Sequence, residues 1–223
     1  VKKVKLRSPA KIRAKYFLEH VKQSGHAKKY VASEKFLEKF KFSLHRTRHG
    51  NFLIDLKRNV TNTPISVALV FNKAKLHNHN EIAYEARVRF FKKKVIVESI
   101  QGTKHLTEIR DFEKHTGLPT SRFLLQEIIK QAKQSGYKNV LLRRPETHPS
   151  YKKPYWQVEL KKSEKILLDK VLFKEANKKE MAQMETIKEK TINTIRTRMK
   201  KIYENVATAE GFKRERTFFV KYL

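Results

Sequence analysis

Cysteine is absent from the 223 residues. That removes disulfides, thiolate metal centres and a cysteine nucleophile, and it fits a reducing, intracellular compartment. No run of about 18 apolar residues occurs, so the sequence offers no membrane-spanning helix. No secretory signal pattern opens it, and a soluble protein is expected. No internal repeat is visible. Acidic residues are scarce: 22 Asp and Glu stand against 52 Lys and Arg, a formal charge of +30. Self-repulsion on this scale works against a compact state, so a polyanionic partner is the natural explanation. RNA or a ribonucleoprotein is the first candidate, ahead of DNA and acidic lipid. The competing explanation is compositional drift towards lysine in an A/T-rich genome. The cations run along nearly the whole chain instead of forming one tail, which favours the partner.

The first segment, Val1–Tyr16, has no acidic residue. It reads as a nucleic-acid-binding arm, the remainder of an organellar targeting segment, or a solvated end. The expected location is intracellular: the cytoplasm, or an organellar matrix if a leader ahead of Val1 has been removed. Helices are expected over Ser8–Lys22 and Ser33–Phe40, giving a basic helical extension over residues 1–48.

The period then changes. Phe52–Leu56, Ile65–Phe71, Ala83–Phe91 and Lys94–Ile100 are β-branched or aromatic runs separated by turn-forming clusters, and they predict an antiparallel meander. Tyr84, Ala86, Val88 and Phe90 alternate with Glu85, Arg87 and Arg89, one buried face against one charged face. The run ending at Ile100, Gln101 and Gly102 is followed by a stretch read as a loop of about a dozen residues. Gly117-Leu118-Pro119-Thr120-Ser121 then opens a helix through Lys133, and a strand follows at Asn139–Leu142. That order is a βαβ crossover, which leaves a helix N-terminus and its unpaired N–H groups beside a strand end. Arg143–Trp156 reads as a loop. Ser163–Glu210 reads as one long helix or two broken near Asn177, ended by Gly211 ahead of a last strand at Phe218–Val220.

Ile100-Gln101-Gly102, the Gly117-Leu118-Pro119 helix start, Gly136-Tyr137, and the ending Ile202-Tyr203-Glu204-Asn205 with Glu210-Gly211-Phe212 resemble the core of GNAT-type acyltransferases. The middle region also looks like the VirK-type proteins, which would make the chain a bacterial virulence- or envelope-stress-associated protein. The likeness spans residues 50–145 and 192–223. It implies an α+β fold: a GNAT-like mixed β-sheet with crossover helices over residues 49–223, a helical insertion at about 157–190 and a long C-terminal helix. It also implies an acetyl-CoA or other acyl-CoA cofactor held around Ile100, Gln101, Gly102, Gly117, Thr120, Ser121 and Arg122. Tyr203 would be the general acid for the leaving thiolate and Glu98 the base for an amine. Where the family carries a glycine-rich phosphate loop, this chain has one glycine and a proline that lacks a donor.

Two structural readings compete with those roles. Tyr203 would pack in a core beside Ile202 and Val206, and Glu98, alternating with Val97, would sit on a solvent face. Arg143, Arg144, Tyr151, Lys152, Lys153, Tyr155 and Trp156 interleave cations with rings, which suits single-stranded nucleic acid. Here the competing reading is a surface loop whose rings fold back. His77 with His79, His45 with His49, and His105 with His115 lack the partners of a metal site, so no metal is expected. Two functions follow: an acyl-CoA-dependent N-acyltransferase-like protein acting on or docked to RNA, or a non-catalytic RNA-binding or ribosome-associated protein on the same fold.

Overall fold

The computed structural model describes Lys39 and residues 43–47, 50–58, 65–72, 81–91, 93–102 and 106–223. The helix expected over Ser8–Lys22, most of that over Ser33–Phe40, and His49, His77, His79 and His105 lie outside the described residues. The chain divides into two compact units, residues 1–143 with 207–223 and residues 144–206.

The first unit is an α+β arrangement on one sheet. Its strands are β1 (Ser43–Thr47), β2 (Gly50–Arg58), β3 (Ile65–Asn72), β4 (Glu81–Phe91), β5 (Lys94–Gly102), β6 (Asn139–Arg143), β7 (Lys213–Arg214) and β8 (Phe218–Tyr222). Their order is β1-β2-β3-β4-β5-β6-β8-β7. The four runs read from the sequence are β2 to β5, antiparallel in succession. β5 and β6 pair in parallel, and β8 runs antiparallel to both β6 and β7. β1 was not foreseen; it lies inside the stretch read as the helical extension.

Alternation places Ala86, Val88 and Phe90 in the core, with Arg87 and Arg89 half-exposed on the other face. The pairing of β4 with β5 slips once. Val88 opposes Val97 and Arg87 opposes Ser99, so Glu98 is an extra residue, a β-bulge. The bulge breaks the two-residue period, and Val97, Glu98, Ser99 and Ile100 are all buried in succession.

Two helices follow β5. α1 (Leu106–Thr116) occupies the stretch read as a loop. The i, i+3 pair Ile109 and Phe112 is its buried stripe, and Phe112 packs on Phe52 at 4.8 Å and on Phe123 at 5.0 Å between ring centroids. Gly117, at φ +69, ends α1 by donating to the Glu113 carbonyl at 2.8 Å, a left-handed corner that a side chain with a Cβ would strain. α2 (Thr120–Gln134) then crosses β3 to β6. Leu124, Ile128 and Ala132, four apart, are completely buried. Burial of each large side chain contributes about 1.5–3 kcal/mol, which is what holds the helix on the sheet.

The second unit is helical. Short turns at Pro145–Thr147 and Trp156–Glu159 flank α3 (Pro149–Lys152). α4 (Lys162–Leu172) and α5 (Lys178–Ala209) follow, so the break read near Asn177 is present. Asn177 and Glu180 cap α5 reciprocally: the Glu180 N–H donates to Asn177 Oδ1 at 2.9 Å and the Asn177 N–H to Glu180 Oε2 at 3.0 Å. α5 ends at Gly211, where the Phe212 N–H donates to the Ala207 carbonyl at 2.9 Å.

Lys174, in the turn between α4 and α5, has φ +60, a conformation disfavoured for any residue with a Cβ. Replacing it with glycine relieves about 1 kcal/mol and raises the thermal midpoint by about 2–4 °C. An unchanged or lower midpoint in a melting experiment would show that the turn is not left-handed in solution.

Candidate functional site

β5 and β6 hydrogen-bond only as far as Val97 opposite Leu142. Beyond that point the strands part, and charged groups converge at the fork. Arg143 on β6 brings Nε to 2.5 Å from Glu98 Oε2, and Arg89 on β4 brings Nε to 3.3 Å from Glu98 Oε1. Neither Nε is aligned for a hydrogen bond, so the attraction is that of close charges. The Arg143 guanidinium also lies 5.8 Å from the centre of the Phe218 ring. The solvent-exposed reading of Glu98 is therefore corrected: its side chain is 11 % exposed and lies against the Arg89 and Arg143 guanidinium groups. Both carboxylate oxygens face a cation, an arrangement suited to joining β4, β5 and β6.

A second polar cluster lies at the end of β5 and the start of α2. Ile100 is buried, whereas Gln101 and Gly102 are exposed. A Cβ on Gly102 would stand 2.4 Å from the Tyr84 ring, so the close approach of this strand end to β4 requires glycine. Tyr84 in turn feels the charge of Glu113 on α1. Glu113 Oε1 accepts the Thr120 N–H at 2.7 Å, so a carboxylate of the chain itself occupies the position where a helix start attracts an anion. Pro119 precedes the helix and no side chain caps it from there, so Glu113 supplies the missing cap. Thr120 is fully buried with its Oγ1 unpaired, and Ser121 is buried as well. Arg122 Nε is 2.6 Å from Glu210 Oε1, and Gln126 Nε2 donates to the same oxygen at 2.9 Å. Gly117 is exposed. The two groups best suited to phosphate, the Thr120 amide and the Arg122 guanidinium, are each matched to an internal carboxylate.

The proposed nucleic-acid segment divides in the same manner. Arg143 belongs to the sheet. Arg144 pairs with Glu146 at 3.4 Å. Burial pushes the Glu146 carboxyl up, but its backbone hydrogen bond, Arg144 and the charge of Lys200 outweigh that and hold it below the usual value. The Tyr151 carbonyl accepts from Arg196 Nε at 3.0 Å, and the Arg196 guanidinium lies 5.7 Å from the Tyr151 ring centre. Lys152 and Lys153 are exposed, Trp156 is half-buried, and Tyr155 is 78 % exposed. Tyr203 lies on α5 in the helical unit and is buried, 4 % exposed, together with Val206.

Glu113 was not singled out in the sequence, which placed Tyr84 only on the buried face of its strand and Glu210 only in the helix ending. The signal for Glu113 was present in Ile109 and Phe112 followed by Thr116 and Gly117, the end of a helix. Among the described residues no group of three or more His, Asp or Glu side chains could hold a metal, and no helix is long and apolar enough to cross a membrane.

The Tyr84 phenol is raised above 10.0, first by burial and second by the Glu113 charge. A phenol raised on folding contributes stability that is complete below its unfolded value and is lost as pH rises through the folded one. Glu113→Gln should therefore lower the Tyr84 transition in an ultraviolet pH titration without bringing it back to 10.0, because burial remains. The same change weakens the cap on α2 by about 1 kcal/mol. A Tyr84 transition that does not move would disprove the contact.

No family model, no curated protein and no solved structure matches the chain, so its function has to be argued from this geometry.

Proposed function

We propose that the chain is a non-catalytic RNA-binding protein built on a GNAT-like sheet whose cofactor cradle is closed from within. The observation that carries this reading is the double occupancy at α2: Glu113 takes the Thr120 amide and Glu210 takes the Arg122 guanidinium. An incoming pyrophosphate would have to displace one carboxylate and approach the other, and like charges at such distances repel strongly where water is excluded. The excess of 52 cations over 22 acids supplies the attraction for a polyanion. Lys152, Lys153 and the exposed Tyr155 supply phosphate contacts and a ring for stacking.

A second reading, acyl-CoA-dependent N-acyl transfer with Tyr203 as acid, is favoured by one observation. β5 and β6 are parallel, joined through α1 and α2, and part at a bulge, while β8 lies between β6 and β7. That order ends the β5–β6 pairing at a fork, the kind of place where an open α/β sheet takes its ligand. Against it stand the filled helix N-terminus and the absence of the glycines that such a loop uses.

The test has two arms. Labelled single-stranded RNA should bind with a steep dependence on salt, and Lys152→Ala and Lys153→Ala should each flatten the log–log slope by about 0.7. Tyr155→Ala should weaken binding by about 1–3 kcal/mol at constant slope. Acetyl-CoA titrated calorimetrically into the same protein should give no saturable heat. Saturable binding of acetyl-CoA that is lost in Ser121→Glu, with turnover slowed in Tyr203→Phe, would replace this reading with the acyltransferase one.

A further inference from the structure

The sheet of the first unit has two faces, and α2 covers one of them. Val88 and Phe90 on β4 are buried on the helix side, where the Phe90 ring meets that of Tyr137, just past the end of α2, at 5.8 Å. Their neighbours Arg87, Arg89 and Phe91 therefore point the other way. Register carries that second face across four strands. Phe91 stands opposite Lys94 on β5, Lys94 beside Asn139 on β6, and Asn139 opposite Tyr222 on β8. Paired residues share a face, so these four side chains form one row. Phe91 is 51 % exposed and Tyr222 62 %, Lys94 is exposed and Asn139 half-buried.

Two residues further along the strands, a distance of about 6.5–7 Å, lies a second row. Arg89 and Lys213 are its ends, with Ile96, Leu141 and Val220 as an apolar floor between them. Beyond it Arg143 opposes Phe218, and Glu98 holds the Arg89 and Arg143 guanidinium groups from between. Among the described residues of β4 to β8, Arg87, Arg89, Lys94, Arg143 and Lys213 stand on this face. The carboxylates that meet them are Glu85, paired with Arg87, and Glu98; Glu215, in the turn before β8, accepts from the Tyr222 hydroxyl at 3.4 Å. The face keeps a positive balance. Phe91 and Tyr222 are three strand spacings apart, about 14 Å, with an ammonium and an amide between them. Rings so separated do not make the contiguous apolar patch that a membrane or a folded protein partner needs. A second copy of the chain would set +30 against +30. What fits is a ligand whose flat groups come at intervals along a negatively charged thread. A single RNA strand has that form: bases lie on the rings, phosphates meet Lys94 and Lys213, and the Asn139 amide, donor and acceptor at once, meets a base edge between them. A duplex keeps its base faces stacked on one another and has no use for the rings.

We propose that the face of β4, β5, β6 and β8 turned away from α2 is a stacking platform for single-stranded RNA, with bases on Phe91 and Tyr222. The inference rests on the RNA-binding reading, and it gives that reading a surface in the first unit in addition to Lys152, Lys153 and Tyr155 in the second.

The probe is a labelled oligouridylate of about ten nucleotides, followed by fluorescence anisotropy on the full chain. Phe91→Ala and Tyr222→Ala should each weaken binding by about tenfold or more at constant salt slope, and Lys94→Ala should flatten the log–log slope by about 0.7. Tyr222→Phe keeps the ring and should bind as the parent does, whereas Tyr222→Leu keeps apolar area without a ring and should not. Ultraviolet crosslinking read by mass spectrometry should place a uridine adduct on Phe91 or Tyr222. Both residues are over half exposed, so the circular dichroism of the free variants should be unchanged. Binding that depends on Lys152 and Tyr155 but not on Phe91 or Tyr222 would overturn the platform and leave the RNA reading standing. Failure to bind RNA at all would overturn both. The platform would also fall if Tyr222→Leu bound as well as Tyr222→Phe, or if loss of Phe91 abolished capture of anionic phospholipid vesicles or self-association in sedimentation while leaving RNA binding intact.

Discussion

The short parallel pairing of β5 with β6 is the contact on which the first unit depends. It involves four residue pairs, Lys94 to Val97 against Asn139 to Leu142, and it can form only if the intervening chain crosses back over the sheet. That crossing costs conformational entropy, and α2 offsets it by burying Leu124, Ile128 and Ala132 against β3 to β6. The return into β6 is anchored at one carbonyl: Lys93 accepts from the Lys138 N–H at 2.9 Å and the Asn139 N–H at 3.3 Å. The Leu223 N–H donates to the Lys138 carbonyl at 2.9 Å, which ties the last strand to the same corner. Because the pairing stops at Val97, the side chains beyond it meet as the charged cluster of Arg89, Glu98 and Arg143.

A chain with so few acids places several of them where cations must otherwise repel. Glu98 separates Arg89 from Arg143, and Glu210 receives Arg122 and Gln126 while its carbonyl accepts from Lys221. Lys221 thereby stands at the C-terminal end of α5, the pole that favours a cation. Glu113 serves the opposite pole of α2. These carboxylates are structural for a reason that composition alone implies: removing one leaves partly buried guanidinium or amide groups uncompensated, which costs more than the pair contributes when intact.

Much of the fold was legible because β2 to β5 are β-branched or aromatic runs set off by turn-forming clusters and α5 has a clean helical period. Phe52 and Ile54 alternate as a half-buried strand should, and the break before α5 is written in Asn177 followed by Glu180. The sites were less legible, for two physical reasons. Periodicity assumes regular register, and the single extra residue at Glu98 breaks it, leaving Val97 to Ile100 buried in succession. Partners across a sheet or between helices lie far apart in sequence: Arg122 meets Glu210 and Arg196 meets Tyr151, which no local pattern announces. Arg143, Arg144 and Tyr151 looked free for RNA, yet each is engaged within its own unit, whereas Lys152, Lys153 and Tyr155 remain on the surface. α1 was missed because its buried stripe is short, Ile109 and Phe112 among its described side chains.

The two kinds of cation have separate duties. Arg87, Arg89, Arg122, Arg143, Arg144 and Arg198 all pair with a carboxylate, and Arg196 donates to two carbonyls. A planar guanidinium suits fixed, directional contacts of this kind. The lysine pairs at 152–153, 161–162, 178–179 and 200–201 are exposed, and an ammonium on a flexible stem acts as a point charge rather than a geometric reader. On the proposed reading this division sets the character of recognition. Among the described residues Arg89, Arg122, Arg143, Arg144 and Arg196 are engaged within the fold, whereas Arg110, Arg214 and Arg216 are exposed alongside the lysine pairs, which follow phosphates in any sequence.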